Sequence, residues 1–156
     1  MKRTFLTISK EYLGNSTIQG TETGQAIKRK LNSLCHRTKK KGEVVLLIQD
    51  SNKNVFGGFM SHSLEHHTNF FGTGESFLIK FKGDELYCFN STMNNMFYCF
   101  CDEDGFGMGT DPHYGLFVDK ELRKGATFSC KTFNNDMLTD KNHFAIYNIE
   151  VWGFRD

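Results

Sequence analysis

The sequence has few of the features that mark membrane proteins, secreted disulfide scaffolds or flexible linkers. It holds a single proline, Pro112, no low-complexity tract, and no apolar run near the roughly 18 residues that a membrane helix needs. The segment Met1-Lys2-Arg3-Thr4 is followed by an apolar stretch too short for a signal peptide. The five cysteines are odd in number and follow no repeating spacing, which argues for a reducing compartment. We therefore expect a cytoplasmic protein, with the nucleus as the alternative, that does not insert into membranes.

The composition is typical of one folded domain. At 156 residues the chain fits a single domain over residues 1–156 with a substantial core. Hydrophobic residues make up 38% and charged residues 24%, which excludes wholesale disorder.

The formal net charge of +1 conceals an uneven distribution. Residues 1–42 hold ten Lys or Arg and two Glu, whereas residues 43–156 hold nine basic and sixteen acidic residues. A basic cluster of this kind can bind nucleic acid, although positive charge at a helix C-terminus also stabilises the helix dipole and is often simply solvated. The basic segment comprises Lys28, Arg29, Lys30, Arg37, Lys39, Lys40 and Lys41.

Hydrophobic periodicity predicts a mainly β protein with flanking helices. Thr4–Ser9 alternates as a short strand, Leu13–Gly24 is typical of a loop, and Gln25–Arg37 has the apolar spacing of an amphipathic helix. A loop is expected over Asp102–His113 and one helical turn over Asp119–Lys124. Further strands are expected at Val44–Gln49, Val55–Met60, Glu75–Phe81, Leu86–Asn90, Met96–Cys101, Tyr114–Val118 and Phe144–Phe154. Seven or eight short strands separated by turns favour an antiparallel sandwich or barrel.

A glycine-rich turn, Gly72-Thr73-Gly74-Glu75, precedes one of these strands. It lacks the longer glycine frame, the lysine and the following helix of a phosphate loop. Because Glu75 lies at the start of a strand, we expect its carboxylate to cap backbone N–H groups, with a functional contact as the alternative.

Cys130 is the candidate reactive thiol, because the adjacent Lys131 can lower its pKa and thiolate is the form that reacts with peroxide. A buried structural cysteine is the alternative.

Cys99 and Cys101 lie on one face of a strand and are expected to be core residues. The sequence around His66 does not match a zinc-protease motif. We expect no metal, and no catalytic constellation is visible, so an enzyme is not favoured.

Five blocks taken together resemble the TLDc domain, the C-terminal domain of oxidation-resistance proteins. They occur in the family's order between residues 44 and 154, whereas the N-terminal third departs from the family pattern. The blocks are the hairpin Val45–Phe59, the segment Phe71–Leu78, the glycine loop Phe106–Gly109 with Gly115–Asp119, Cys130–Asn135 and Ile149–Phe154.

The resemblance implies a two-sheet antiparallel β-sandwich flanked by helices, with Gly72, Thr73, Gly74 and Glu75 as a family motif. The resemblance also implies protection against oxidative damage through protein binding, because several family members are known to bind the vacuolar-type proton ATPase. It implies no cofactor. Two alternatives stay open: a peroxide-reactive thiol protein that uses Cys130, and a nucleic-acid-binding regulator that uses the basic segment.

Overall fold

The computed structural model describes residues 2–9 and 30–154. Within them lie one helix, α1 (Lys30–Thr38), and ten strands. The strands are β1 (Lys2–Ser9), β2 (Val44–Asp50), β3 (Val55–Met60), β4 (Phe77–Lys82), β5 (Glu85–Asn90), β6 (Cys99–Cys101), β7 (Gly105–Met108), β8 (Leu116–Asp119), β9 (Lys124–Ala126) and β10 (His143–Phe154).

The strands form two antiparallel sheets that share the long strand β10. Its first residues, from His143, pair with β9 and continue the order β9-β8-β7-β6. Its remainder pairs with β2 on one side and β1 on the other, and β2 continues through β3 and β4 to β5. A register shift between Ile146 and Asn148 separates the two halves of β10 and redirects the strand from one sheet to the other.

The core lies between the two sheets. Phe56, Phe106, Leu116 and Ile48 are fully buried there, and a Cβ placed on Gly58 of β3 would lie 2.6 Å from the Met108 Sδ of β7. Strand β2 is buried at every second residue, which is the alternation of a strand with one face on a core. The predicted mainly β sandwich is therefore confirmed.

Helix α1 packs against the sandwich through the apolar stripe that the sequence predicts. Leu31, Leu34 and Cys35 are buried, and the Leu31 N–H donates to the Lys120 carbonyl at 3.3 Å. The helix ends at Thr38, whose hydroxyl donates to the Leu64 carbonyl at 2.9 Å. The predicted segments Leu13–Gly24 and residues 25–29 lie outside the described residues.

Several predicted boundaries are wrong in the middle of the chain. The predicted loop Asp102–His113 contains strand β7, and the predicted helical turn Asp119–Lys124 is a hydrogen-bonded turn in which the Leu122 N–H donates to the Asp119 carbonyl. Strand β9 begins at Lys124, directly after that turn. The turn is stabilised by a hydrogen bond from the Arg123 N–H to Asp119 Oδ1 at 2.9 Å.

The hairpin between β2 and β3 is confirmed. Asp50 is buried and its Oδ1 accepts the Asn52 and Asn54 N–H groups at 3.0 and 2.9 Å. The Thr139 hydroxyl donates to the other carboxylate oxygen, so the turn is fixed to a distant part of the chain.

Candidate functional site

The glycine-rich turn lies between β3 and β4 and is supported by two buried serines. The Thr73 N–H donates to Ser61 Oγ at 2.8 Å, and the Ser61 N–H donates to Ser76 Oγ at 3.2 Å. Gly72 has a φ of +91°, and a Cβ there would lie 3.1 Å from Ser61 Oγ and 3.3 Å from Cys99 Sγ. Glycine is therefore required at this position both by the left-handed backbone and by the close approach of the serine and the thiol.

This support leaves Thr73 and Glu75 on the surface. Both residues are exposed, and strand β4 begins two residues after Glu75, at Phe77. The Glu75 N–H donates to Thr73 Oγ1 at 3.3 Å, but no described residue donates a hydrogen bond to the Glu75 carboxylate. The expected capping role of this carboxylate is therefore wrong, because the exposed side chain receives no backbone N–H from the described residues.

An exposed apolar patch, formed by Met93, Met96 and Phe97, adjoins the turn. The exposed fractions are 71% for Met93, 77% for Met96 and 40% for Phe97. A Cβ placed on Gly74 would lie 2.6 Å from Met93 Sδ, so the patch and the turn form one continuous surface. Sequence reasoning missed this patch, because three apolar residues around a short polar turn have no periodicity that marks them as exposed.

The turn formed by residues 130–135 holds the patch in place. The Thr92 N–H and hydroxyl donate to the carbonyls of Thr132 and Lys131 at 2.9 and 2.7 Å. The buried Thr132 hydroxyl donates to Asn95 Oδ1 at 2.9 Å. The loop that carries the exposed side chains is therefore fixed at Thr92 and at Asn95.

Cys130, the candidate reactive thiol, belongs to this supporting turn. It is buried, and its Sγ donates to Asn135 Oδ1 at 3.2 Å. Burial raises the pKa of the Cys130 thiol, while backbone hydrogen bonds partly oppose the shift. Lys131 is exposed and its Nζ lies 3.5 Å from Asp111 Oδ2, so its charge is directed to a carboxylate. This geometry favours the structural alternative for Cys130.

The described part of the basic segment is exposed. Arg37, Lys39, Lys40 and Lys41 all reach the surface at the C-terminal end of α1. Lys28 and Arg29 lie outside the described residues, and Lys30 is described only as the first residue of the helix.

A second group of side chains comes together beside α1, and the sequence analysis did not connect them. Cys35 of α1, His66 of the loop after β3 and Cys101 of β6 place their ligand atoms within 4.8 Å of one another. A hydrogen bond from Cys101 lowers the pKa of Cys35, although burial and the Glu65 charge oppose it. The same hydrogen bond, together with burial, raises the pKa of Cys101. The members are 31 and 35 residues apart in sequence, so only the tertiary structure reveals the group.

Comparison with known proteins identifies relatives of the same domain. The family model for the TLDc domain matches residues 23–155, which includes α1 and extends the match well before residue 44. The chain is 35% identical over 120 residues to nuclear receptor coactivator 7 of Gallus gallus, covering 71% of this chain and 12% of the relative. It is 38% identical over 112 residues to oxidation resistance protein 1 of Homo sapiens, covering 71% of this chain and 13% of the relative.

These relatives are far longer than the matched region, so the chain corresponds to about an eighth of their length. Within residues 2–9 and 30–154 there is no helix of the length and apolarity required to cross a membrane.

Proposed function

The chain belongs to the TLDc domain family, and from that premise we propose that it is an oxidative-stress protection module that acts by binding another protein. The partner that we propose is the vacuolar-type proton ATPase, which the family resemblance suggests. The observation that carries the proposal is the exposed apolar loop of Met93, Met96 and Phe97, whose Met93 lies against the turn that presents Thr73 and Glu75.

The surface combines the properties of a protein interface. Met93 and Met96 are among the most exposed large apolar side chains of the described residues, and water contact with such side chains is unfavourable. Methionine side chains are flexible and polarisable, which suits contact with a partner surface. Glu75 adds a charge at the edge of the patch, where an ionic contact contributes more to orientation and association rate than to affinity.

The rigidity of the support favours binding as well. The loop around Met93 is hydrogen-bonded to Thr132 and Lys131, and the Thr73 turn is hydrogen-bonded to Ser61. A surface that is already ordered loses less conformational entropy when a partner binds.

The protective role rests on the names of the relatives. One of them is an oxidation resistance protein, and the matched part of it corresponds to the present domain. The Cys130 thiol is buried and its pKa is raised, and both properties oppose rapid reaction with peroxide, so protection through a partner is favoured over protection through Cys130.

A pull-down from lysate of the source cell tests the proposal. We expect the wild-type protein to recover subunits of the proton ATPase, under conditions in which a family member known to bind the ATPase does, and the Glu75→Lys and Met96→Ser variants to recover much less. Glu121→Lys and Met137→Ser are matched controls, since both residues are exposed and lie outside the patch. Recovery of no ATPase subunit by the wild type, or equal recovery by all variants, would contradict the proposal.

Nucleic-acid binding is a second candidate function, because Arg37, Lys39, Lys40 and Lys41 are all exposed at one end of α1. If four basic side chains contact phosphates, the logarithm of affinity falls against the logarithm of salt concentration with a slope of about −3 to −4. A titration against duplex DNA at low salt tests this candidate. No binding, or binding that is unchanged after Lys39, Lys40 and Lys41 become Ala, excludes it.

A further inference from the structure

The side chains of Cys35, His66 and Cys101 form a group of metal ligands outside the proposed binding surface. Their ligand atoms lie within 4.8 Å of one another, and the two Sγ atoms are 3.6 Å apart. Cys101 is 1% exposed and Cys35 8%, whereas His66 lies on the surface. The group therefore extends from the edge of the core to solvent.

Hydrogen bonds between the three supporting elements hold this group together. The Thr38 hydroxyl at the end of α1 donates to the Leu64 carbonyl at 2.9 Å, which joins the helix to the loop that carries His66. The His67 N–H donates to the Cys101 carbonyl at 3.0 Å, which joins that loop to β6. The ligand positions are thus set by the fold itself.

The spacing of the sulfur atoms fits a bound metal ion. Two thiolates that each lie about 2.3 Å from Zn²⁺ at a tetrahedral angle are about 3.8 Å apart. The observed 3.6 Å is close to that value, whereas a disulfide requires about 2.05 Å. Two sulfurs and an imidazole nitrogen are ligands that Zn²⁺ prefers over Mg²⁺ or Ca²⁺.

The surroundings provide access and charge for a cation. A pocket of about 290 Å³ is lined by Asn32, Cys35, His36, Lys39, Glu65 and His66. The Glu65 carboxylate accepts a hydrogen bond from Ser63 Oγ at 2.8 Å, which holds it at this pocket. Binding of a divalent ion here releases the thiol protons, and the charge of the ion then compensates the buried thiolates that form.

We propose that Cys35, His66 and Cys101 bind one Zn²⁺ ion, with the fourth coordination position open to the pocket and taken by water. Three protein ligands with an open fourth position differ from a closed structural site. Because the ligands come from α1, from the loop after β3 and from β6, the ion links the helix to both sheets of the sandwich.

Metal titration of the reduced, full-length protein tests the proposal. We expect one equivalent of Zn²⁺ to bind in competition with a chromophoric chelator. Co²⁺ in its place should give thiolate-to-metal charge-transfer absorption and the visible bands of tetrahedral coordination. The circular dichroism spectrum is expected to show the same β content with and without metal.

Variants assign the ligands. Removal of a ligand in Cys35→Ser or His66→Gln should weaken Zn²⁺ binding by at least about 100-fold, because even loss of a residue that only supports a ligand costs 10- to 100-fold. Exposed His113→Gln and exposed Cys88→Ser are the matched controls and should bind Zn²⁺ like the wild type. His66 is on the surface, so its substitution keeps the test valid even if changes at Cys101 disturb folding.

Several results would each overturn the proposal. They are no stoichiometric Zn²⁺ uptake by the reduced wild-type protein, equal uptake by Cys35→Ser and His66→Gln, or loss of binding in Cys88→Ser alone. Recovery of a Cys35–Cys101 disulfide by mass spectrometry, with no metal uptake after its reduction, would also overturn it and assign the pair to thiol oxidation.

Discussion

The exposed surface around Thr73, Glu75 and the apolar patch differs sharply from the turn at residues 130–135, to which it is hydrogen-bonded. On the surface, Met93 and Met96 are more than two-thirds exposed. In the turn, Cys130, Thr132 and Asn135 are all buried and use their polar atoms on other protein groups. The candidate reactive thiol therefore belongs to the buried support, whereas the exposed groups are those suited to binding.

The largest effect should come from the support itself. The buried Asn135 side chain donates to the Phe128 and Asp136 carbonyls at 2.9 and 2.7 Å and accepts from Cys130. Asn135→Ala leaves these buried groups without partners, and we expect a loss of about 2–4 kcal/mol in the free energy of unfolding. Urea denaturation measures this loss.

Exposed Asn94→Ala is the control for this change, and its effect should stay within about 0.5 kcal/mol. A similar small effect for Asn135→Ala would show that the turn does not support the neighbouring surface in the way described.

A smaller loss is expected for Thr132→Val, which keeps the shape of the side chain and removes its hydroxyl. That oxygen accepts the Thr110 N–H at 3.1 Å and donates to Asn95 Oδ1 at 2.9 Å. We expect about 1–3 kcal/mol less stability and, because Asn95 belongs to the loop of the apolar patch, faster amide hydrogen exchange over residues 92–97. Unchanged exchange in that loop would show that the turn does not stabilise the loop of the apolar patch.

The order in which peroxide oxidises the cysteines also tests the difference between the buried turn and the exposed groups. Burial raises the pKa of Cys130, so at neutral pH a smaller fraction of it is thiolate than of an ordinary thiol, and its reaction rate should level off at a higher pH than that of an ordinary thiol. Exposed Cys88 should therefore form sulfenic acid before Cys130. Mass spectrometry after timed exposure at several pH values measures the order, and oxidation of Cys130 first would support the reactive-thiol alternative.

The smallest effect on stability is expected on the exposed side. Glu75→Lys and Met96→Ser should each change the free energy of unfolding by no more than about 0.5 kcal/mol, because both side chains are exposed and the Glu75 carboxylate accepts no hydrogen bond from a described residue. Thermal denaturation of the two variants beside Glu121→Lys measures this. A large loss of stability would mean that these residues support the fold.

The sequence predicts the long strands well, and it fails at the short ones for a physical reason. Strands β2, β3 and β10 carry apolar runs or alternation long enough to be recognised. In β7, Gly105 and Gly107 suggest a loop, yet a Cβ on either would lie 2.2 Å or less from a carbonyl oxygen of β8. Glycine occurs there because the strands approach closely, and a single sequence does not reveal that neighbour.

The candidate sites also differ in how far the sequence predicts them. The resemblance to a family points to Gly72–Glu75 as a motif, and the geometry of the turn explains why Gly72 must be glycine. Whether Glu75 faces solvent depends on where β4 begins, which the hydrophobic pattern places two residues too early. The Cys35–His66–Cys101 group depends on contacts between distant elements, so no local pattern predicts it.

A survival assay under peroxide stress tests most directly the claim that this domain acts by binding and not through the Cys130 thiol. Cells that lack the protein would be supplied with wild type, Cys130→Ser, Glu75→Lys or Met96→Ser, with Met137→Ser as the control and equal expression verified. Ser can keep the hydrogen bond to Asn135, so the fold should be retained. The account predicts protection by wild type, Cys130→Ser and Met137→Ser, and reduced protection by Glu75→Lys and Met96→Ser. Loss of protection in the folded Cys130→Ser variant, with protection kept by the two surface variants, would contradict it.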